Sequence, residues 1–233
     1  MNNYNQIKTE IKGIPAIIWG SNSAKIYIYV HGKMSNKESA ERFAETAIQK
    51  GYQVISFDLP EHGERADINY KCNVWNGVND LKVIEEYVQK RWSEIYLFGC
   101  SLGAYFSLLA YQDIPLKKCL FQSPILDMEY LINKMFTWFN ITEDELEKKR
   151  EIITAVDTLS WDYYCYVKKH KIKKWDVPTR IIFGTNDNFQ SQEIINKFAN
   201  EYYSVLTALN GCEHYFNTEE SSISLEKWLK ENI

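Results

Sequence analysis

Aliphatic and aromatic side chains alternate from Lys25 to Val30, with Ile26, Ile28 and Val30 set against Tyr27 and Tyr29. A period of two puts each class on its own face and predicts a strand. Soon after, Ala40, Phe43, Ala44, Ala47 and Ile48 recur at helical spacing, predicting a helix that Gly51 ends. Ser35 and Glu38 precede it at capping-box spacing. The exchange of periods then repeats. Apolar runs at Tyr52–Phe57, Glu94–Phe98, Lys118–Gln122, Thr179–Phe183 and Ser204–Leu209 read as strands, and Gln6–Ile11 and Ala16–Trp19 as two more, split at Gly13. Helical patterns cover Val78–Trp92, with Leu81, Ile84 and Val88 on one face, then Ala104–Tyr111 and Ser222–Lys230. Such alternation predicts an α/β protein whose mostly parallel sheet has helices on both faces. In sheets of this kind the ligand site lies at the carboxyl ends of the strands.

One stretch departs from the alternation. Between Leu126 and Trp175 there is helical pattern and no strand signal. Met128, Leu131, Ile132, Met135, Phe136 and Phe139 follow helical spacing, Thr142 with Glu145 opens a charged helix, and Trp161, Tyr164, Cys165 and Lys168 continue a third. The expected organisation is a core of residues 1–125 and 176–233 with a helical cap at 126–175. The cap would leave the sheet beside the ligand face, where connecting segments usually carry function. An ordinary surface insert is the alternative.

Composition narrows the partners. The 233 residues are 45% hydrophobic and 25% charged, as expected of a folded domain with one core. A net charge of −4 offers no attraction to nucleic acid or to an anionic membrane, and no run is long enough to insert into a bilayer. Five widely spaced cysteines (Cys72, Cys100, Cys119, Cys165 and Cys212) form no zinc pattern and read as reduced thiols. Met1–Asn5 lacks the basic and apolar regions of a secretion signal. The expectation is a cytoplasmic protein. The lysine-rich run Lys168–Lys174 reads as a solvated face, lying toward the sheet edge opposite Ser101.

The candidate chemistry lies at Gly99-Cys100-Ser101-Leu102-Gly103, a G-x-S-x-G sequence between a predicted strand and a predicted helix. That context puts a serine hydroxyl on a strained turn above the sheet. Acyl transfer by serine also needs a base and oxyanion donors. Of the four histidines only His214 comes late, after the last strand and before the last helix. Asp187 follows the strand Ile181–Phe183 and suits the orienting acid, with Asp127 after the preceding strand as a rival. His31 and His62 read as structural, and Cys100 as a small buried residue pointing away from Ser101. No metal or organic cofactor is needed for this chemistry.

These residues resemble the α/β-hydrolase fold serine hydrolases, and the resemblance covers nearly the whole chain. It implies a sheet of about eight strands, with Ser101 as nucleophile, His214 as base and Asp187 as acid. The family's His-Gly oxyanion loop matches His31-Gly32-Lys33, which implies the backbone N–H groups of Leu102 and Lys33 as oxyanion donors. Met34 is the substitute if the loop is shifted by one residue. A family loop of the form D-x-x-G-H-G-x-S resembles Asp58–Arg65, with Glu61 in place of the glycine and Arg65 in place of the serine, changes expected to affect the pocket wall. The implied activity is hydrolysis of a small to medium carboxylic ester through an acyl-enzyme. Thioester or amide hydrolysis uses the same parts, and a non-catalytic binding protein of this fold is a further alternative.

Overall fold

Residues 5–233 are described by a computed structural model; residues 1–4, most of the stretch read for a secretion signal, lie outside the described residues. The chain opens with a hairpin of β1 (Gln6–Ile11) and β2 (Ile14–Trp19), turned by Lys12 and Gly13, both at positive φ. Next come β3 (Lys25–Val30), α1 (Glu41–Gln49), β4 (Gln53–Phe57), α2 (Val74–Gln89), β5 (Glu94–Cys100), α3 (Leu102–Ala110) and β6 (Cys119–Gln122). An insert follows: α4 (Met128–Phe139), α5 (Glu143–Lys149), a small hairpin of β7 (Glu151–Ile153) and β8 (Thr158–Ser160), and α6 (Trp161–Lys169). The chain ends with β9 (Thr179–Gly184), α7 (Gln192–Glu201), β10 (Val205–Leu209) and α8 (Glu219–Asn232).

Eight strands form one sheet in the order β1-β2-β4-β3-β5-β6-β9-β10. The pairs of β2 with β1 and with β4 are antiparallel and the remaining pairs parallel. The period of two in β3 is realised literally. Ile26, Ile28 and Val30 join a cluster with Leu81, Ile84 and Val88 of α2, whereas Tyr27 and Tyr29 face Phe43, Ala44 and Ala47 of α1 and Trp228 of α8. On that second face Tyr29 stacks on Phe98 with ring centroids 4.8 Å apart.

Several boundaries differ from the sequence reading. Helix α2 starts at Val74, four residues before the expected Val78, because Asn73 caps it by accepting from the Asn76 N–H. Gly77 hides the pattern there. It is small because Phe106 packs on it, and a Cβ would lie 2.4 Å from that ring. Helix α7 was not anticipated; polar residues separate its buried Ile195, Phe198 and Ala199. Ser35 and Glu38 make no capping box. A 3-10 turn occupies 37–40 instead, because Lys37 goes inward to Asp58. The short hairpin in the insert contradicts the all-helical expectation for that segment. Its strands have three residues each, too few to show a period.

The lysine run also differs. Three of its five lysines are paired: Lys168 with Glu143, Lys171 with Asp127 and Glu129, and Lys174 with Asp113. The run passes from the carboxyl end of β6, where Asp127 lies, to the amino end, where Asp113 lies. It is not confined to the side remote from Ser101.

Candidate active site

Ser101 stands between β5 and α3 with φ 50° and ψ −116°, a conformation that costs a side-chain-bearing residue about 1–3 kcal/mol. Its surroundings impose that turn. The Ser101 N–H donates to the Gln122 carbonyl, and its own carbonyl accepts from Ala104 and Ile125. Gly103 lets α3 start against β3; a Cβ there would lie 2.4 Å from the His31 carbonyl oxygen. The hydroxyl is thereby raised above the strand ends.

His214 reaches it from the loop after β10. Ser101 Oγ lies 2.8 Å from His214 Nε2, and His214 Nδ1 lies 2.7 Å from Asp187 Oδ2. Both partners of the second contact are enclosed, with side chains 5% and 2% exposed. Asp187 is held in turn by Phe189 N–H, which donates to its Oδ1 at 2.7 Å. Phe189 covers the imidazole with a centroid separation of 4.4 Å. At Gly184 the acid turn touches the histidine loop, and a Cβ would fall 2.2 Å from the Cys212 carbonyl. The rival Asp127 is elsewhere: it caps α4 by accepting from Tyr130 N–H and pairs with Lys171.

The loop after β3 supplies the remaining polar groups. His62 Nε2 accepts from Met34 N–H at 3.1 Å, so Met34 is already committed. Among the described residues the N–H groups of Lys33 and Leu102 have no hydrogen-bond partner, and both residues border the cavity around Ser101. His31 and His62 are structural in geometry. Each directs Nδ1 at a backbone carbonyl and accepts a backbone N–H at Nε2. Burial pushes the His31 pKa down to about 4, against the opposing pull of the Gly32 carbonyl, so this ring is neutral at pH 7.

A cavity of about 590 Å³ opens on Ser101 and His214. Met128, Leu131, Ile132 and Met135 of α4, Leu159 of β8 and Tyr163 of α6 form one wall of it. Cys100 is half-buried, packs against the Tyr29 and Phe98 cluster and also borders this space. Glu61 and Arg65 do not border it. Glu61 sits at φ 59° where the resembling loop has glycine, accepts from Cys72 N–H and pairs with Lys71. Arg65 turns inward to Asp80 at 2.6 Å and to the Asp58 carbonyl. Both substitutions anchor the loop and leave the wall to other residues.

Other residues that organise the site gave no signal in the sequence. Ser123 Oγ donates to the His214 carbonyl at 2.8 Å. Gln190, buried beside the acid turn, accepts from Leu126 and Asp127 N–H and donates to the Asp127 carbonyl, tying that turn to the chain after β6. Lys37 and Asp58 form a buried pair at 2.8 Å behind the oxyanion-side loop. Isolated polar residues in loops carry no period, and only the tertiary arrangement gives them partners.

Comparison with known proteins agrees with this fold. No protein-family model matches the sequence. A Mycoplasma genitalium protein named as an esterase/lipase is 27% identical over 111 residues, and that stretch is 47% of this chain and 41% of the relative. Among solved structures, Est1E from Butyrivibrio proteoclasticus with bound ferulic acid superposes with a TM-score of 0.76 at 19% identity, over 97% of this chain and 96% of that one. Mouse alpha/beta hydrolase domain-containing protein 10 gives 0.74 at 15% identity, over 98% and 97%. Strand order, the elbow between β5 and α3, and these superpositions over nearly the full length lead to one identification: the chain has the α/β-hydrolase fold.

Proposed function

We propose that the protein is a serine hydrolase that cleaves a small to medium carboxylic ester through Ser101, His214 and Asp187. The observation that carries this reading is the continuous hydrogen-bonded chain Ser101 Oγ–His214 Nε2 and His214 Nδ1–Asp187 Oδ2, opening on a cavity beside two unpartnered N–H groups. His214 takes the Ser101 proton as Oγ attacks the substrate carbonyl. The N–H groups of Leu102 and Lys33 receive the oxyanion, and imidazolium returns the proton to the leaving oxygen. Water activated by His214 then releases the acid from the acyl-enzyme. Asp187 holds the imidazole in the tautomer this sequence requires.

The insert at 126–175 acts as a cap over this site. Its apolar residues on the cavity wall suit an apolar acyl or aryl group, in keeping with the ferulic acid bound by the structurally similar Est1E. Labelling with a fluorophosphonate, followed by mass spectrometry of the modified peptide, tests the proposal. The expected adduct is on Ser101, absent in Ser101→Ala while the fold is retained. An unlabelled, folded protein would overturn it in favour of a binding role. Matched ester, thioester and amide substrates then identify the bond cleaved, and turnover confined to thioesters would replace the ester assignment.

A further inference from the structure

The insert touches the catalytic machinery at a second place, the hairpin turn next to Leu159 of the apolar wall. The turn of its hairpin is internally fixed: Thr154 N–H and Oγ1 both donate to the Asp157 carbonyl, and Thr154 Oγ1 accepts from the N–H groups of Val156 and Asp157. Asp157 Oδ1 accepts from Thr158 N–H, which leaves Oδ2 free, and Oδ2 pairs with the ammonium of Lys33. Lys33 is the residue whose backbone N–H the mechanism assigns to the oxyanion. Its neighbour Met34 is tethered through its own N–H to His62. The loop therefore has one anchor on the insert, through the side chain of Lys33 itself, and one on the core, through the next residue Met34.

A second observation bears on how firmly the insert is seated. Tyr163 Oη is enclosed with no hydrogen-bond partner, and enclosing a hydroxyl in this way opposes docking of α6. Trp75 of α2 packs on Tyr163 and Tyr166 with centroids 6.2 and 5.5 Å away, and Lys171 ties the end of the insert to its own start at Asp127 and Glu129. The hairpin end has the Lys33–Asp157 pair, with Glu61 and Lys71 as the neighbouring charges and Glu151 near Lys71.

We propose that Asp157 is a positioning residue for the oxyanion hole: through Lys33 it holds the loop so that the Lys33 N–H faces Ser101, and docking of the hairpin favours the ready form of the site. The proposal rests on the reading of that N–H as an oxyanion donor. An exposed or half-exposed pair contributes modestly, so Asp157→Lys or Lys33→Glu should slow phosphonylation of Ser101 roughly two- to fivefold at low salt. The exchanged pair, Lys33→Glu with Asp157→Lys, should recover most of the rate. The milder Asp157→Asn and Lys33→Gln guard against misfolding, and circular dichroism checks the fold. Amide hydrogen exchange reads whether hairpin and loop are held by one another, and the phosphonylation rate reads whether that hold reaches Ser101. Here Asp157→Lys should speed exchange at residues 32–35, and Lys33→Glu should speed it at 151–160. Single variants without effect on rate and exchange, or an exchanged pair that recovers neither, overturn the proposal. If the unaltered protein takes no label, the hydrolase reading falls. Exchange alone then decides whether hairpin and loop are coupled: unchanged exchange in both single variants overturns the coupling.

Discussion

Single residues here are defined by the partners that occupy them. Asp187 gives one oxygen to Phe189 N–H and the other to His214, so its charge is fixed in both position and direction. Asp187→Asn keeps the shape but offers the imidazole an amide, favouring the wrong tautomer, and should lower kcat by about a thousandfold or more with little change in KM. Steady-state kinetics on the best ester checks this. His31 illustrates the opposite device, a ring kept neutral by enclosure. Its folded pKa of about 4 lies below the usual 6.5, so between these values the unfolded chain binds more protons than the folded one. Stability from this residue is complete above about pH 6.5 and is lost as pH falls toward 4, by an amount on the order of 3 kcal/mol. Urea midpoints measured across that window should fall for the unaltered protein and flatten in His31→Gln, even though the variant starts less stable for want of the bond to Leu59 N–H.

At the scale of elements, legibility followed periodicity. Strand β3 and helix α1 were readable because each buries one face of a regular repeat, and the elbow was readable because a strained turn between strand and helix demands glycines at fixed places. Ser101, His214 and Asp187 were reachable from their positions at element ends. Helix α7 and the β7–β8 hairpin were not, one because its apolar stripe is thin and the other because three-residue strands have no measurable period. Ser123, Gln190 and Lys37 were invisible for a different reason: their partners come from distant elements. The insert shows both cases, since the stripe on α4 was evident while its position against the cavity needed the fold. That position yields a prediction. Ile132, buried between core and cavity, should on substitution by Trp crowd the acyl site. KM should rise for long-chain and aryl esters and stay nearly constant for acetates, in a chain-length series with one common alcohol. An equal loss for every chain length would mean the acyl group lies elsewhere.

For the molecule as a whole, the loop from Asp58 to Arg65 joins the two sides of the sheet through buried charge. Asp58 is fully enclosed and accepts from the Lys37 N–H and ammonium and from Glu64 N–H, and the passage is so tight that a Cβ on Gly63 would lie 2.2 Å from its carboxylate. Arg65, a few residues on, reaches Asp80 of α2 on the other face. Removing one partner of such a pair strands the other charge without water, which typically costs about 3–5 kcal/mol. Lys37→Met should therefore lower the urea midpoint steeply, although Lys37 borders neither Ser101 nor the cavity. Salt distinguishes this buried network from the half-exposed pair at Lys33. Raising ionic strength from about 0.01 M to about 1 M shortens the screening length from ~30 Å to ~3 Å, which weakens exposed pairs and barely reaches enclosed ones. Across that range the urea midpoint should change little, since the enclosed pairs are spared and the exposed pairs contribute little to stability. Phosphonylation of Ser101 should slow as the Lys33–Asp157 contact is screened. The exchanged pair should show the same salt response as the unaltered protein. Lys33→Gln, with no charge to screen, should show none. A salt response that persists in Lys33→Gln would trace to steering of the probe or to another pair, and would remove the ionic link between insert and oxyanion hole from the account of how this molecule is held ready.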